Sequence, residues 1–374
     1  MINKYFNLDW LLVFTFTPLL GAGLVTMRPF LGEGSSYFFN RQIIWIILGV
    51  LVFLVFSNID WRFLKTSGFL LGLFGFGVVV LLTLLFFGQV TRGSSRWLNF
   101  FFFSIEPTEP LKLLLILMLA KYFSRRHIEI AQFKHIIVSG LYALIPTILI
   151  FFQPDFGSSL VFVLIWLGMI MVSGISKKHL ILVLVLIAIV FVGSWQFALK
   201  DYQKDRILTF LNPNHDPQGA GYNALQSMIA VGSGQLWGKG IGYGTQSRLN
   251  FLPEYRTDFI FSAFAEEWGF IGVLIIFSCF GFLIWRILRI AYFGQSNFER
   301  LFGIGLAIFL MIHFVLHIGM NVGVLPITGL SMPFLSYGGS HMLTVFAGLG
   351  VLMGFRRHSQ RFSQKDPIVE FLGS

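Results

Sequence analysis

Residues 68–87 read GFLLGLFGFGVVVLLTLLFF, twenty positions without Asp, Glu, Lys or Arg. A helix of about 20 apolar residues crosses roughly 30 Å of hydrocarbon, and this one would have no polar face to offer water. The same property recurs at 156–175, 180–199 and 301–322, and over slightly shorter runs at 10–27, 42–57, 136–152 and 268–285. Two weaker runs cover 110–123, which carries Lys112, and 341–355. No stretch alternates apolar and polar residues over about ten positions, as barrel strands would. The expected fold is an all-α polytopic membrane protein of about ten transmembrane helices, one domain over residues 1–374.

Composition agrees. Hydrophobic residues make up 56% of the chain and charged ones 12%, against about 25% charged in soluble domains. A soluble core of this size has no place for 45 Phe and 9 Trp, whereas lipid solvates the outward faces of membrane helices. One cysteine, Cys279, excludes a disulfide framework, a Cys-based zinc site and a CxxC redox motif. The formal charge of +10 would suit nucleic acid if it were a patch, but the bases lie in short clusters between apolar runs.

Those clusters set the topology through the positive-inside rule. With the N-terminus inside, the inner segments hold Lys4, Arg62, Lys65, Lys121, Arg125, Arg126, Lys134, Lys177, Lys178, Arg286, Arg289, Arg300, Arg356, Arg357, Arg361 and Lys365. The short outer segments hold Arg28, Arg41, Arg92, Arg96 and Lys112. Both termini are therefore expected in the cytoplasm. The first run is too long for a usual signal peptide and lacks a clear A-x-A site, so it reads as a retained helix. Residues 200–267, between helices 7 and 8, form one long extracytoplasmic loop. A connection of that length is expected to carry function.

Within the loop, the Gly-rich stretch 232–244 fails as a phosphate loop, because Lys239 is followed by Gly240 and no G-x-G-x-x-G fits. Beyond it, Asp258 stands between a polar turn and Phe259-Ile260-Phe261. Two readings are open there. Thr257 or Asp258 could cap a helix, or Asp258 could be a partly desolvated carboxylate suited to general-base work. Glu266 and Glu267 are expected at the start of the next span, where a helix N-terminus favours their charge.

Other segments add candidates. Arg92 and Arg96 bracket Gly93-Ser94-Ser95, two guanidinium forks able to hold phosphate, or else two interfacial arginines beside Trp97. Glu109 and Lys112 are three apart and could pair on one helix face. Lys112 would lie at or below the outer membrane surface, where an ionisable residue is by default a functional candidate. His313 and His317 are spaced as two metal ligands could be, but without a third ligand they read as buried, hydrogen-bonded histidines. Gly68, Gly72, Gly75 and Gly77 suggest close helix packing. The uncharged, Gly/Pro/Ser-rich segment 323–340 reads as a packed or re-entrant loop.

The ordered strings Gln153-Pro154-Asp155-Phe156-Gly157-Ser158, Asp205-Arg206-Ile207-Leu208-Thr209-Phe210, Gly219-Ala220-Gly221-Tyr222 and Gly244-Thr245-Gln246 are similar to the SEDS family (shape, elongation, division, sporulation). So are Asn250-Phe251-Leu252-Pro253-Glu254, Thr257-Asp258-Phe259-Ile260-Phe261, Pro326-Ile327-Thr328-Gly329 and Pro333-Phe334-Leu335-Ser336-Tyr337-Gly338-Gly339-Ser340. Gly-Thr-Gln, Asn-Phe-Leu-Pro-Glu and Pro-Ile-Thr-Gly look like its elongation branch. The chain departs from the usual family residues at Glu106, Thr108, Arg256, His317 and His341.

The resemblance implies a peptidoglycan glycosyltransferase that polymerises lipid II at the outer face of the cytoplasmic membrane, with a class B penicillin-binding protein as transpeptidase partner. The family's essential aspartate falls on Asp258, and its fourth-span glutamate and lysine fall on Glu109 and Lys112. A sugar hydroxyl needs a base to attack an anomeric carbon at neutral pH, and the departing pyrophosphate needs cations. Asp258 is then the base. Arg92, Arg96 and Lys112 are phosphate contacts, Glu109 orients Lys112, and Ser336, from the last string, joins the substrate-binding set. The cofactor is unknown; a divalent cation such as Mg²⁺ could share the pyrophosphate charge with Asp258 as a ligand. The alternatives are a lipid II flippase and a non-catalytic scaffold of the elongation complex.

Overall fold

A computed structural model of the chain describes residues 9–28, 36–88, 97–99, 104–125, 133–197, 199–212, 216 and 219–363. Among the described residues, ten long helices stand where the apolar runs predict them. They are α1 (Trp10–Met27), α2 (Tyr37–Asn58), α3 (Phe69–Phe87), α4 (Thr108–Ser124), α5 (Phe133–Phe152), α6 (Phe156–Ser173) and α7 (Lys177–Phe197). After the long connection, which holds α8 (Asp201–Leu211), α9 (Ala220–Ser233) and α10 (Thr245–Arg248), come α11 (Ile260–Tyr292), α12 (Asn297–Asn321) and α13 (Gly339–Ser363). The predicted loop 200–267 is thus largely helical in its described part.

Eight of the ten are long and apolar enough to cross a membrane unaided. The exceptions, α4 and α13, are the interior ones. In α4 nearly every residue from Thr108 to Ala120 is buried, charged side chains included. Such a helix is solvated by protein instead of lipid, which is why its sequence signal was weak. At the other extreme, α7 buries only Val183, and its apolar faces have lipid as their solvent. Around α4 lie α3, α5, α6, α12 and α13, while α2 packs along α13 and α1 along α11.

Of the four glycines read as packing positions on α3, only Gly77 meets a neighbour: a β-carbon there would lie 2.7 Å from Leu111 Cδ1. Nothing stands within 4 Å of Gly68, Gly72 or Gly75, so those three do not serve close packing. A short hairpin, β1 (Leu98–Asn99) with β2 (Ser104–Ile105), leads into α4.

Segment 322–338 returns into the bundle as a packed loop, with Leu330, Met332, Phe334, Leu335 and Ser336 buried. Phe334 has φ of 66°, a strained value for a bulky residue. Its ring stacks on Phe16 at 5.6 Å and meets Phe346 edge-on at 5.7 Å, contacts that offset the strain and fix the loop's depth.

Candidate active site

Asp258 lies two residues before the first residue of α11, half-buried, in a segment fastened from two sides. On one side, Asn321 at the end of α12 donates from Nδ2 to the Asp258 carbonyl at 3.0 Å. The same side chain accepts from Ser262 N at 3.2 Å and from Ser262 Oγ at 2.7 Å. Ser227 of α9 donates to the Asn321 carbonyl at 2.9 Å and lies 2.7 Å from Ser262 Oγ. On the other side, Ser336 Oγ donates to the Thr257 carbonyl at 2.8 Å, and Tyr337 N donates to the Arg256 carbonyl at 3.0 Å. Gly329 (φ 67°) also faces it: a β-carbon there would stand 3.5 Å from Asp258 Oδ2.

The capping reading does not hold. The N-cap position of α11 falls on Phe259, with no side-chain cap bond. Thr257 Oγ1 turns back to Glu254 instead. Neither Thr257 nor Asp258 is therefore the N-cap residue of α11.

Glu109 and Lys112 do pair, Nζ to Oε1 at 2.6 Å, but deeper than expected. Lys112 is completely buried. His341 Nδ1 bonds the other Glu109 oxygen at 2.9 Å, and His313 Nε2 lies 3.5 Å from Lys112 Nζ. The third partner that the sequence did not reveal for His313 is therefore His341, brought in from α13; the two rings lie 4.4 Å apart. His317 is not part of this group and bonds the Leu330 carbonyl at 2.7 Å.

Glu109, His313 and His341 offer ligand atoms within 4.8 Å of one another, which would suit a metal by residue type. The ammonium of Lys112 already lies on that carboxylate. Adding a divalent ion would leave several positive charges against one negative in a site closed to water. The geometry is that of an internal ion pair with two histidines around it.

The cluster and the Asp258 segment share the loop 328–337. His313 Nδ1 pairs with the Ser331 carbonyl at 3.1 Å, His317 with Leu330, and Ser336 with Thr257. Lys112 itself touches Glu109 and His313, not Asp258. Ser336 is buried, accepting from Met332 N while donating to Thr257, so its hydroxyl fastens two segments together. Arg92 and Arg96 lie outside the described residues.

Glu266 and Glu267 are not at a helix start, since α11 begins at Ile260. Glu266 accepts from Lys239 Nζ (2.8 Å), Thr245 Oγ1 (3.1 Å), Gln246 N (3.0 Å) and Ser247. Glu267 takes the Arg248 guanidinium at 2.9 and 2.7 Å. Behind them α11 breaks at Gly269 (φ 68°), and the Gly-rich stretch fills the break. Lys239 N and Gly240 N donate to the carbonyls of Glu266 and Glu267, and Phe270 N donates to Gln235. Gly238 (φ 80°) comes too close to that backbone for any side chain. The glycines thus serve backbone approach to a broken helix, where polar groups freed inside an apolar environment must find partners.

Residues 6–361 match the FtsW/RodA/SpoVE family, described as cell cycle protein. The chain belongs to this family. It is similar to the peptidoglycan glycosyltransferase MrdB of Escherichia coli K12, with 36% identity over 325 residues and 87% of each chain covered. Stage V sporulation protein E of Bacillus subtilis is 34% identical, over 96% of this chain and 100% of its own. Among solved structures, a chain from a peptidoglycan synthase complex, described as coordinating polymerization and crosslinking, superposes with a TM-score of 0.79. It shares 30% identity and covers 95% of this chain and 99% of its own. RodA of Thermus thermophilus gives a TM-score of 0.70 at 27% identity, covering 95% and 98%. Members of the FtsW/RodA/SpoVE family with these folds are polytopic helical membrane proteins, as is this chain.

Proposed function

We propose that the chain is a peptidoglycan glycosyltransferase that extends glycan strands from lipid II, with Asp258 as the base that takes the proton of the acceptor's 4-hydroxyl. The activity follows its relatives MrdB and FtsW, both named peptidoglycan glycosyltransferases. For Asp258 the supporting observation is local: its backbone is held by Asn321 and, through Thr257, by Ser336, while its carboxylate is not a helix cap. A backbone fixed from two sides holds the carboxylate of Asp258 in one place, which is what proximity catalysis requires.

The base converts a poor hydroxyl nucleophile into an alkoxide-like one as the bond to the anomeric carbon forms and the bond to the lipid pyrophosphate breaks. A single displacement inverts the anomeric centre. Arg92 and Arg96 are our candidates for the departing pyrophosphate. Lys112, sealed against Glu109, is better assigned to holding the floor on which the loop 328–337 rests. A Mg²⁺ ion, a hard cation that seeks oxygen ligands, would find the Asp258 carboxylate a suitable one and would supply charge to the pyrophosphate.

The distribution of Lys and Arg supports cytoplasmic termini and an outward-facing segment 200–267. Similarity to MrdB supports a role in elongation, and similarity to the synthase-complex chain supports a class B penicillin-binding protein as partner. The buried Glu109–Lys112–His341–His313 group is what a lipid II flippase would also use. Polymerisation of lipid II by purified protein with its partner, beside Asp258→Asn, separates the two: transport without polymerisation would favour the flippase.

A further inference from the structure

At the end of the bundle opposite Asp258, a cavity of about 260 Å³ opens between the end of α11, the turn into α12 and the last turns of α13. Arg286, Arg289 and Arg356 line it, with Ile290, Leu352 and Phe355 as an apolar wall. Among the described residues two carboxylates are near, and both are committed. Asp9 Oδ1 caps α1 through Leu12 N. Asp9 Oδ2 accepts from Arg286 Nε at 2.9 Å and Nη2 at 2.6 Å, and from Arg356 Nη1. Glu299 accepts from Gln295 N at 3.0 Å and Ser296 Oγ at 3.1 Å. Three guanidiniums against two carboxylates leave the described part of the cleft positively charged.

The donors are in excess as well. A guanidinium has five N–H groups; Arg286 uses two on Asp9 and Arg356 one. Among the described residues Arg289 bonds no carboxylate, and its Cζ lies 5.2 Å from the Trp285 ring centre. Beside the cavity, α11 exposes Phe282, Trp285 and Leu288, an aromatic and aliphatic strip of the kind that faces lipid at a membrane surface. A charged recess with an apolar wall, opening next to that strip, fits a ligand that is anionic at one end and hydrocarbon at the other.

We propose that this recess binds the phosphate headgroup of an anionic phospholipid, with Arg286, Arg289 and Arg356 on the phosphate and the acyl chains along α11. Guanidinium groups match phosphate oxygens in pairs, and basic pockets between membrane helices are suited to such headgroups. The site is separate from the Asp258 region, and the proposal does not depend on what that region does.

The test uses the full-length protein in neutral detergent, titrated with short-chain phosphatidylglycerol, short-chain phosphatidylcholine or glycerol phosphate, with binding read by thermal unfolding. Phosphatidylglycerol should raise the melting temperature saturably, whereas phosphatidylcholine and glycerol phosphate should not at the same concentrations. Arg289→Gln should weaken phosphatidylglycerol binding about fivefold and leave the lipid-free melting temperature unchanged, because Arg289 holds no acid. Equal binding of both phospholipids, or unchanged affinity in Arg289→Gln, would overturn the proposal. Glycerol phosphate binding as tightly as phosphatidylglycerol would make this a soluble-anion site and overturn the lipid assignment. Because Arg286→Gln would remove two of the three guanidinium bonds to Asp9, it is not the deciding variant.

Discussion

The side-chain amide of Asn321 donates to the backbone carbonyl of Asp258 at 3.0 Å while its oxygen accepts from Ser262 at 2.7 Å. One fully buried amide at the end of α12 therefore fixes both the segment before α11 and the first turn of α11. Removing it would leave the Ser262 hydroxyl and the Asp258 carbonyl without this partner. Asn321→Ala should cost about 2 kcal/mol of stability, the usual penalty for buried groups left unpaired. It should also lower polymerisation by about 10²-fold through misplacement of Asp258. Thermal unfolding and single-turnover polymerisation measure the two effects separately; a stability loss with full activity would mean that Asn321 does not position the base.

Lys112 and Glu109 make an ion pair at 2.6 Å that is buried away from bulk solvent. Lys112→Met should therefore destabilise by about 3–5 kcal/mol, since it strands a buried carboxylate beside His341. Glu109→Gln combined with Lys112→Met should recover much of that loss, because no net charge is then left buried. A double variant no more stable than Lys112→Met alone would show that the pair is not the source of the effect.

Glu266 gathers Lys239, Thr245, Gln246 and Ser247 onto α11. Glu266→Ala should free residues 239–248 by about 3 kcal/mol, the scale of two or more charge-assisted hydrogen bonds. That corresponds to about a hundredfold rise in the open population. Limited proteolysis in this stretch should accelerate accordingly. Cleavage at the wild-type rate would mean that the Gly-rich stretch stays in place without Glu266.

Tyr243 and Lys65 are both exposed, one on the long connection and one between α2 and α3. In a Cys279→Ser background, a cysteine at Tyr243 should react with a membrane-impermeant maleimide on intact cells, and one at Lys65 only after lysis. Labelling of both from outside would contradict the topology.

The ten spans were legible because hydrocarbon demands long uncharged runs, and even Lys112 broke only one of them. The candidate side chains could be picked out of the sequence, but their burial and their partners could not. Asp258, Glu109 and Lys112 stood out as ionisable groups near a membrane boundary, yet spacing along the chain could not show that α13 carries His341 to Glu109, 232 positions away. Nor could it show that Asn321, a lone polar residue closing an apolar helix, reaches back to Asp258. Glu266 and Glu267 were misread because the apolar run resumed only after them. The helix had already begun at Ile260, and the Gly-rich stretch, without a phosphate-loop spacing, gave no sign that it fills a break at Gly269.

The most direct test concerns Asp258. Asp258→Asn preserves shape, and the Asn321 bond to its carbonyl is unaffected by the change, so folding and partner binding should stay near wild type. The side chain can no longer take a proton as a carboxylate does. With lipid II, the partner present and saturating Mg²⁺, the polymerisation rate should fall by about 10²–10⁴-fold, the usual size of a general-base contribution, and extra metal should not restore it. Polymerisation by the Asn variant at close to the wild-type rate would contradict the account at its centre.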